Sequence, residues 1–378
     1  MMIGETKRQT LEGRKVTGSV GVAIVGAGYW GINYVRVVRE LADAELVVVC
    51  DQREHRLREI ERQFPGTQTT TSLEYALAME SVDAVIVCTP AGSHHVVTKL
   101  CIQAGKHILV EKPIATTVAE SNDLIRLAEL HRVKLMVGHT FVFNSGIRKV
   151  KEYVDRNELG RVYYLYSRRT NLGPIRNDVN ALWDLAPHDV SIFNYLLDAV
   201  PTWVSAVGTQ VLNNGREDVG FISLGYGEGI VAHVHVSWAD PHKVREVVVV
   251  GSNKRIVFND LGVPEQVRVY EKGLAPAPEE ASNFGEYHFQ IRDGAIVSPR
   301  VEVSEPLKTQ CMHFLDCVIN DKRPISSGVE GRNVVAVLEA MDRSMAKHGA
   351  PVDVDLGEIY RLANSDYAAP VGVQAHLD

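Results

Sequence analysis

The feature that most constrains this chain is Val22-Ala23-Ile24-Val25 running directly into Gly26-Ala27-Gly28-Tyr29-Trp30-Gly31. Four apolar residues without alternation predict a short strand buried on both faces, as in a parallel sheet. Three glycines at G-x-G-x-x-G spacing then predict a tight turn into a helix. Gly26 permits the turn, Gly28 lets backbone N–H groups approach a pyrophosphate, and Gly31 allows close helix–strand contact. The glycines alone are a weak signal. Their context strengthens it: Trp30, Val35, Val38 and Leu41 outline a helix face, and Leu46–Cys50 reads as a second buried strand ending at Asp51.

Asp51 stands where a carboxylate can accept the ribose hydroxyls of NAD and repel the 2′-phosphate of NADP. Gln52 and Arg53 follow it. Arg53 can stack on adenine or hold a 2′-phosphate, but the acidic residue favours NAD over NADP. Tyr29, Trp30 and Gln52 complete the cofactor-facing set around the two strand ends.

Strand and helix signals continue to alternate. Thr71 and Glu74 have capping-box spacing and predict a helix through Met79. Ala84–Cys88 is a strand, Ser93–Ala104 a helix and His107–Val110 a strand. Thr117 and Glu120 form a second capping-box candidate, and Lys134–Val137 closes the series. Such regularity implies right-handed βαβ units in a doubly wound parallel sheet. The texture changes after residue 142. A helix is expected over Phe143–Asn157, a strand over Arg161–Arg168 and a helix over Asp184–Leu197. Thr202–Val303 then carries many strands with few helices, which predicts a largely antiparallel sheet. Gly273–Glu286 reads as a loop, and Leu307–Asn320 and Glu330–Lys347 as terminal helices. The expected organisation is an extension over 1–19, a Rossmann domain over 20–142 and an α+β domain over 143–378. One face of the second sheet should carry helices. The other calls for a second subunit to cover its apolar side chains.

Bulk properties narrow the function. With 378 residues, 45% of them hydrophobic and 23% charged, the chain is long enough for two cores. A net charge of −7 gives no sign of nucleic-acid binding. No run reaches the roughly 20 apolar residues of a membrane span, and the first 17 residues lack the apolar stretch of a signal peptide. Cys50, Cys88, Cys101, Cys311 and Cys317 fit neither a disulfide framework nor a zinc site, so a reducing cytoplasm is expected. His233 and His235 share a strand face without a third ligand, so no metal is expected.

Two clusters carry candidate chemistry. The fourth long strand ends in Glu111-Lys112-Pro113, at the sheet edge where doubly wound folds bind ligands. A lysine there can donate to a substrate oxygen or, when desolvated, accept a hydroxyl proton. In Trp183-Asp184-Leu185-Ala186-Pro187-His188-Asp189, the residues Asp184 and His188 are four apart and share a face if helical. A carboxylate beside an imidazole suits a proton relay. His94 begins a helix near the cofactor and can touch the dinucleotide or face solvent.

Taken together and in order, the glycine turn, Asp51, Cys88-Thr89-Pro90, Glu111-Lys112-Pro113 and Asp184-x-x-x-His188 resemble the glucose-fructose oxidoreductase/inositol dehydrogenase/MocA family over roughly residues 20 to 350. The resemblance implies a Rossmann domain, an open antiparallel sheet, and dimers or tetramers formed through that sheet. It implies acid/base roles for Lys112 and His188, with Asp184 supporting them and binding substrate. It also implies that Cys88, Thr89, Pro90, Glu111 and Lys112 line the dinucleotide. Many relatives carry Gly two residues before the histidine; this chain has Ala186, which makes the segment stiffer.

Most members of that family act on a secondary hydroxyl of a sugar or cyclitol. Three arginines, Arg168, Arg169 and Arg176, lie on or near the segment before the Asp/His motif, and guanidinium forks bind diphosphates well. The segment is similar to that of bacterial nucleotide-sugar 3-dehydrogenases. The expected substrate set is Lys112, Asn144, Arg168, Asn171, Arg176, Asp184 and His188. The expected reaction is oxidation of a nucleotide sugar at C3, whose 3-keto product suits an aminotransferase. Inositol or free-sugar oxidation, an NAD-dependent glycosidase and a dinucleotide-sensing regulator remain alternatives.

Overall fold

The computed structural model describes residues 18–173, 175–176, 179–212, 215–276 and 289–357. Within them the chain forms two compact units. The first takes the chain up to Thr116, Asp123–Gly138 and Leu307–Gly331; the second takes Thr117–Asn122, His139–Pro306 and the described residues from Arg332 onward. The expected boundary after residue 142 is therefore crossed by a later segment. A helix from that segment returns to the first unit because its side chains find partners there, described below. The extension at 1–17 lies outside the described residues.

The first unit is built from β1 (Val20–Val25), α1 (Tyr29–Glu40), β2 (Ala44–Cys50), α2 (Glu54–Gln63), β3 (Thr69–Thr70), α3 (Leu73–Ala78), β4 (Ala84–Val87), α4 (His94–Gln103), β5 (His107–Glu111), α5 (Val118–His131) and β6 (Leu135–Gly138). Its sheet has the order β3-β2-β1-β4-β5-β6, with every pair parallel. All six residues of β1 and all four of β4 are buried, as their unbroken apolar runs require. Each such valine or isoleucine contributes about 1.5–3 kcal/mol by leaving water. The order reverses between β1 and β4, so their carboxyl ends flank a switch point, where doubly wound sheets bind ligands. Helix α3 is capped by Ser72, whose Oγ accepts from Tyr75 N–H at 3.1 Å, rather than by the expected Thr71. Thr117 does act as expected: its Oγ1 accepts from Glu120 N–H.

The second unit contains α6 (Ser145–Asp155), β7 (Val162–Leu172), α7 (Ala181–Leu197), β8 (Trp203–Thr209), β9 (Val219–Gly225), β10 (Val231–Ser237), β11 (Ala239–Gly251), β12 (Arg255–Asn259), β13 (Val267–Tyr270), β14 (Gly273–Pro276), β15 (Phe289–Arg292) and β16 (Ile296–Val297). Helix α8 (Pro306–Ile319), which belongs to the first unit, follows in sequence, then α9 (Gly328–Met345) and β17 (Val352–Asp353). Nine strands form one sheet in the order β16-β13-β12-β11-β7-β10-β9-β8-β17. It is antiparallel except at its centre, where β7 and β10 run parallel. The start of the expected loop at Gly273 is instead β14, paired with β15; residues 277–288 lie outside the described set.

One face of this sheet carries the core. Ile147 and Val150 of α6, Leu182, Val190 and Phe193 of α7, and Val334, Leu338 and Met341 of α9 pack with Ile222, Val234 and Val236. Alternation along β7 separates its side chains: Leu165, Ser167 and Arg169 are buried, whereas Tyr164 and Arg168 are exposed on the other face. Among the described residues no helix is long and apolar enough to cross a membrane.

Candidate functional site

The glycine turn is built as its spacing demands. Gly26 has φ +101°, and a Cβ there would stand 2.7 Å from the carbonyl of Cys88. At Gly31 a Cβ would come within 1.9 Å of the Gly26 carbonyl oxygen. Gly28 is different: nothing lies within 4 Å of its Cβ position. It is the N-cap of α1, with no side-chain cap and no acidic residue in the first turn. The helix terminus therefore presents its N–H groups and its positive dipole end to open space beside Gly28, which fits a pyrophosphate. Tyr29 and Trp30 stack edge-to-face at 5.6 Å and are both exposed.

Asp51 directly follows β2 and is buried. Its Oδ2 accepts from Ala27 N–H at 2.7 Å and from Arg53 Nη2 at 2.8 Å; its Oδ1 accepts from Arg53 N–H and Nε, both at 2.9 Å. Burial pushes this carboxyl up, but the bonds from Arg53 and Ala27 outweigh it and hold it below its ordinary value. A carboxylate has about four lone-pair sites, and all four are engaged. The ribose diol of NAD must therefore displace the Arg53 fork, whose side chain is half exposed. Gln52 beside it is exposed. Arg53→Ala is expected to raise the ratio of the NADPH to the NADH dissociation constant about tenfold, or 1.4 kcal/mol. Calorimetric titration with both dinucleotides reads it, and an unchanged ratio would refute the competition.

Cys88, Thr89 and Pro90 follow β4, and Glu111, Lys112 and Pro113 end β5. Both segments lie at the carboxyl edge beside the switch point. Glu111 is buried, and its Oε1 accepts from Tyr34 OH at 2.7 Å while its Oε2 accepts from Lys112 N–H at 3.2 Å. Tyr34 OH in turn accepts from Gln310 Nε2 at 2.7 Å. This chain joins α1, β5 and α8, and with Lys308 bonded to Glu40 it explains why α8 belongs to the first unit. Lys112 is half-buried, and the bond between it and Pro113 is cis. His94 lies neither against solvent nor with its ring nitrogens toward open space. It is buried, with Nδ1 2.6 Å from the Pro113 carbonyl oxygen and Nε2 2.7 Å from that of Thr89.

In the second unit the Asp/His motif lies on α7, which runs unbroken through Pro187, so Asp184 and His188 are one turn apart on one face. Asp184 Oδ1 accepts from Arg176 Nη1 at 3.1 Å, and Oδ2 from Trp238 Nε1 at 3.4 Å. The ring of Phe141 meets His188 edge-on at 5.1 Å, and Arg169 lies over the same phenyl ring at 4.2 Å. Arg169 binds the carboxylate of Asp189 through Nε at 2.8 Å and Nη2 at 3.1 Å, with both side chains buried.

Two expected substrate residues are not brought to this cluster. Arg168 lies on the sheet face opposite the one that packs against α7, because strand alternation sends it away from Arg169. Asn144 is buried as the N-cap of α6, accepting from Gly146 N–H and donating to Asp260. Asn171 is half-buried near the end of β7. Asn177 and Asp178 of the arginine-rich segment lie outside the described residues. Tyr34, Gln310, Phe141, Asp189 and Trp238 were not anticipated from the sequence. Only Asp189 had a local signal, as a second acid directly after His188.

His233 and His235 sit on the outer sheet face, with Phe221 stacked on His235 at 4.5 Å. Burial pushes the thiols of Cys50 and Cys317 up to about 11 and that of Cys101 to about 12, which leaves them inert. Among the described residues no group of three His, Cys, Asp or Glu side chains can hold a metal.

A family model described as an oxidoreductase family with an NAD-binding Rossmann fold matches residues 20–139, and the GFO/IDH/MocA C-terminal domain model matches 147–257. The chain is 24% identical to 2,7-anhydro-N-acetylneuraminate hydratase of Mediterraneibacter gnavus, over 86% of this chain and 94% of that one. It is 25% identical to UDP-N-acetylglucosamine 3-dehydrogenase of Acidithiobacillus ferrooxidans, over 83% and 93%. Among solved structures, GenD2 from gentamicin A biosynthesis, in complex with NAD, superposes with a TM-score of 0.75 at 25% identity, over 93% of this chain and 100% of that one. A glycine turn open at Gly28, a carboxylate just after β2 and both family domains in sequence lead to one assignment: this chain belongs to the Gfo/Idh/MocA family of oxidoreductases with an NAD-binding Rossmann fold.

Proposed function

We propose that the protein oxidises a secondary hydroxyl of a sugar, specifically C3 of a nucleotide sugar such as UDP-N-acetylglucosamine, to give the 3-keto sugar and NADH. The observation that carries this reading is the Asp184 carboxylate, held by Arg176 and Trp238 one helical turn before His188. The Arg176 fork has five donors, so it can hold Asp184 and still bind a diphosphate. The likeness to UDP-N-acetylglucosamine 3-dehydrogenase supports the same substrate class. Bound NAD supplies the acceptor for the carbinol hydride. Lys112 takes the hydroxyl proton, and its neighbour Glu111, fixed by Tyr34, steadies the strand end that presents it. His188 is the second acid/base group. Asp184 orients the substrate hydroxyls.

Incubation with NAD, UDP-N-acetylglucosamine and a carbonyl-trapping reagent should give NADH absorbance. No NADH from any nucleotide sugar, with turnover of free inositol instead, would overturn the substrate. The likeness to a hydratase favours a second reading, in which the cofactor is oxidised and reduced within one cycle. Product without NADH accumulation identifies it.

The remaining parts of the proposal concern setting. The 3-keto product suits an aminotransferase, and the cytoplasm is the expected compartment. Tyr164, Val207, Phe221 and Val231 are exposed together on the outer face of the nine-stranded sheet, a surface suited to a second copy of the chain. Light scattering coupled to size exclusion should report a dimer or tetramer.

A further inference from the structure

His94 is a buried titratable group that the proposed mechanism does not use. Both of its ring nitrogens face carbonyl oxygens, Pro113 O at 2.6 Å from Nδ1 and Thr89 O at 2.7 Å from Nε2. Neither contact can be a C–H in a rotated ring, since C–H···O contacts stand at about 3.3–3.6 Å. A neutral imidazole has one N–H and one lone pair, so in either tautomer one nitrogen lone pair would point at a carbonyl oxygen. Only the doubly protonated ring donates to both. Burial of the ring and the amino end of α4 both disfavour a cation, but the two carbonyl oxygens act on it at contact distance.

The location gives the charge a purpose. Thr89 belongs to the loop after β4, and Pro113 directly follows Lys112 after β5, so one ring bridges two strand ends at the dinucleotide edge. Ser93 fastens the same loop, with Oγ 2.9 Å from Thr89 Oγ1 and donating to Pro90 O at 2.7 Å. The other titratable groups on the joined elements are Cys88 after β4, His107, Glu111 and Lys112 on β5 or at its end, and Cys101, His95 and Lys99 on α4. The last two are bound by Asp123 of α5.

We propose that His94 is a permanently charged imidazolium and a positioning residue, holding the Thr89–Pro90 and Lys112–Pro113 segments in the register that receives the dinucleotide. The inference deepens the cofactor site and is independent of the choice of sugar. Its test is nitrogen-resolved NMR of the full chain labelled at histidine, at pH 8, where an ordinary imidazole is only about 3% charged. The expected result is a pair of ring N–H resonances for His94, absent from His94→Gln or assigned through contacts to Thr89 and Pro113. They should shift on saturation with NADH. A single N–H with a neutral tautomer overturns the charge. Resonances unmoved by NADH, or an NADH dissociation constant in His94→Gln that rises less than about threefold instead of the expected tenfold, overturn the positioning role.

Discussion

Lys112→Met is expected to lower the turnover of the sugar substrate by about 10²–10⁴-fold, the range in which a positioned acid/base group contributes. The dissociation constant of NADH should stay within about threefold, because the helix terminus suited to the pyrophosphate lies at the Gly26–Gly31 turn and not at this side chain. Methionine keeps most of the apolar stem, so the half-buried segment after β5 retains its packing. The paired measurement is a fluorescence titration with NADH and single-turnover kinetics on the same preparation. Unchanged turnover would remove Lys112 from the mechanism, and equal losses in binding and turnover would make it a cofactor ligand only.

Arg169→Met is expected to destabilise the second unit by about 3–5 kcal/mol. The Arg169 and Asp189 side chains are 7% and 1% exposed, so deleting the guanidinium leaves a carboxylate charged, dry and unpaired. The stacking of Arg169 on Phe141 is lost as well, at about 0.5–2 kcal/mol. Replacing both partners, as Arg169→Met with Asp189→Leu, should recover most of the stability, because no isolated charge is then buried. Denaturant unfolding of the two variants reads the difference. Turnover of the recovered double variant separates stability from function: the Arg169–Phe141–His188 stack also fixes the imidazole, so turnover should stay low when stability returns. A loss below about 1 kcal/mol in Arg169→Met would mean that water reaches Asp189.

The legible parts of this protein were those governed by local rules. Unbroken apolar runs gave β1, β2, β4 and β5, and the glycine spacing gave the turn, because both depend on residues within one or two turns of chain. The helical spacing of Asp184 and His188 was legible for the same reason. What escaped depends on partners far apart in sequence. Gln310 meets Tyr34 across 276 residues, and Trp238 meets Asp184 across 54. Arg168 and Arg169 are chemically equal, and only the phase of the strand decides that Arg169 turns inward. Sequence could name three arginines there but not choose among them. His94 shows a related limit: its first position in a helix suggested contact with solvent or cofactor, and only the fold reveals two carbonyl oxygens around it.

The parallel pairing of β7 with β10 has a consequence for synthesis. β7 is central to its sheet, yet both of its neighbours come later, β10 after about 60 residues and β11 after that. At roughly 5–20 residues per second, a ribosome leaves this strand waiting about 3–12 seconds with two open edges. For that interval Val162–Leu172 exposes its inward side chains as well as the tyrosines of its outer face. Arg168 and Arg169, adjacent on opposite faces, then place charge on both sides of a strand that would otherwise invite pairing with another nascent chain.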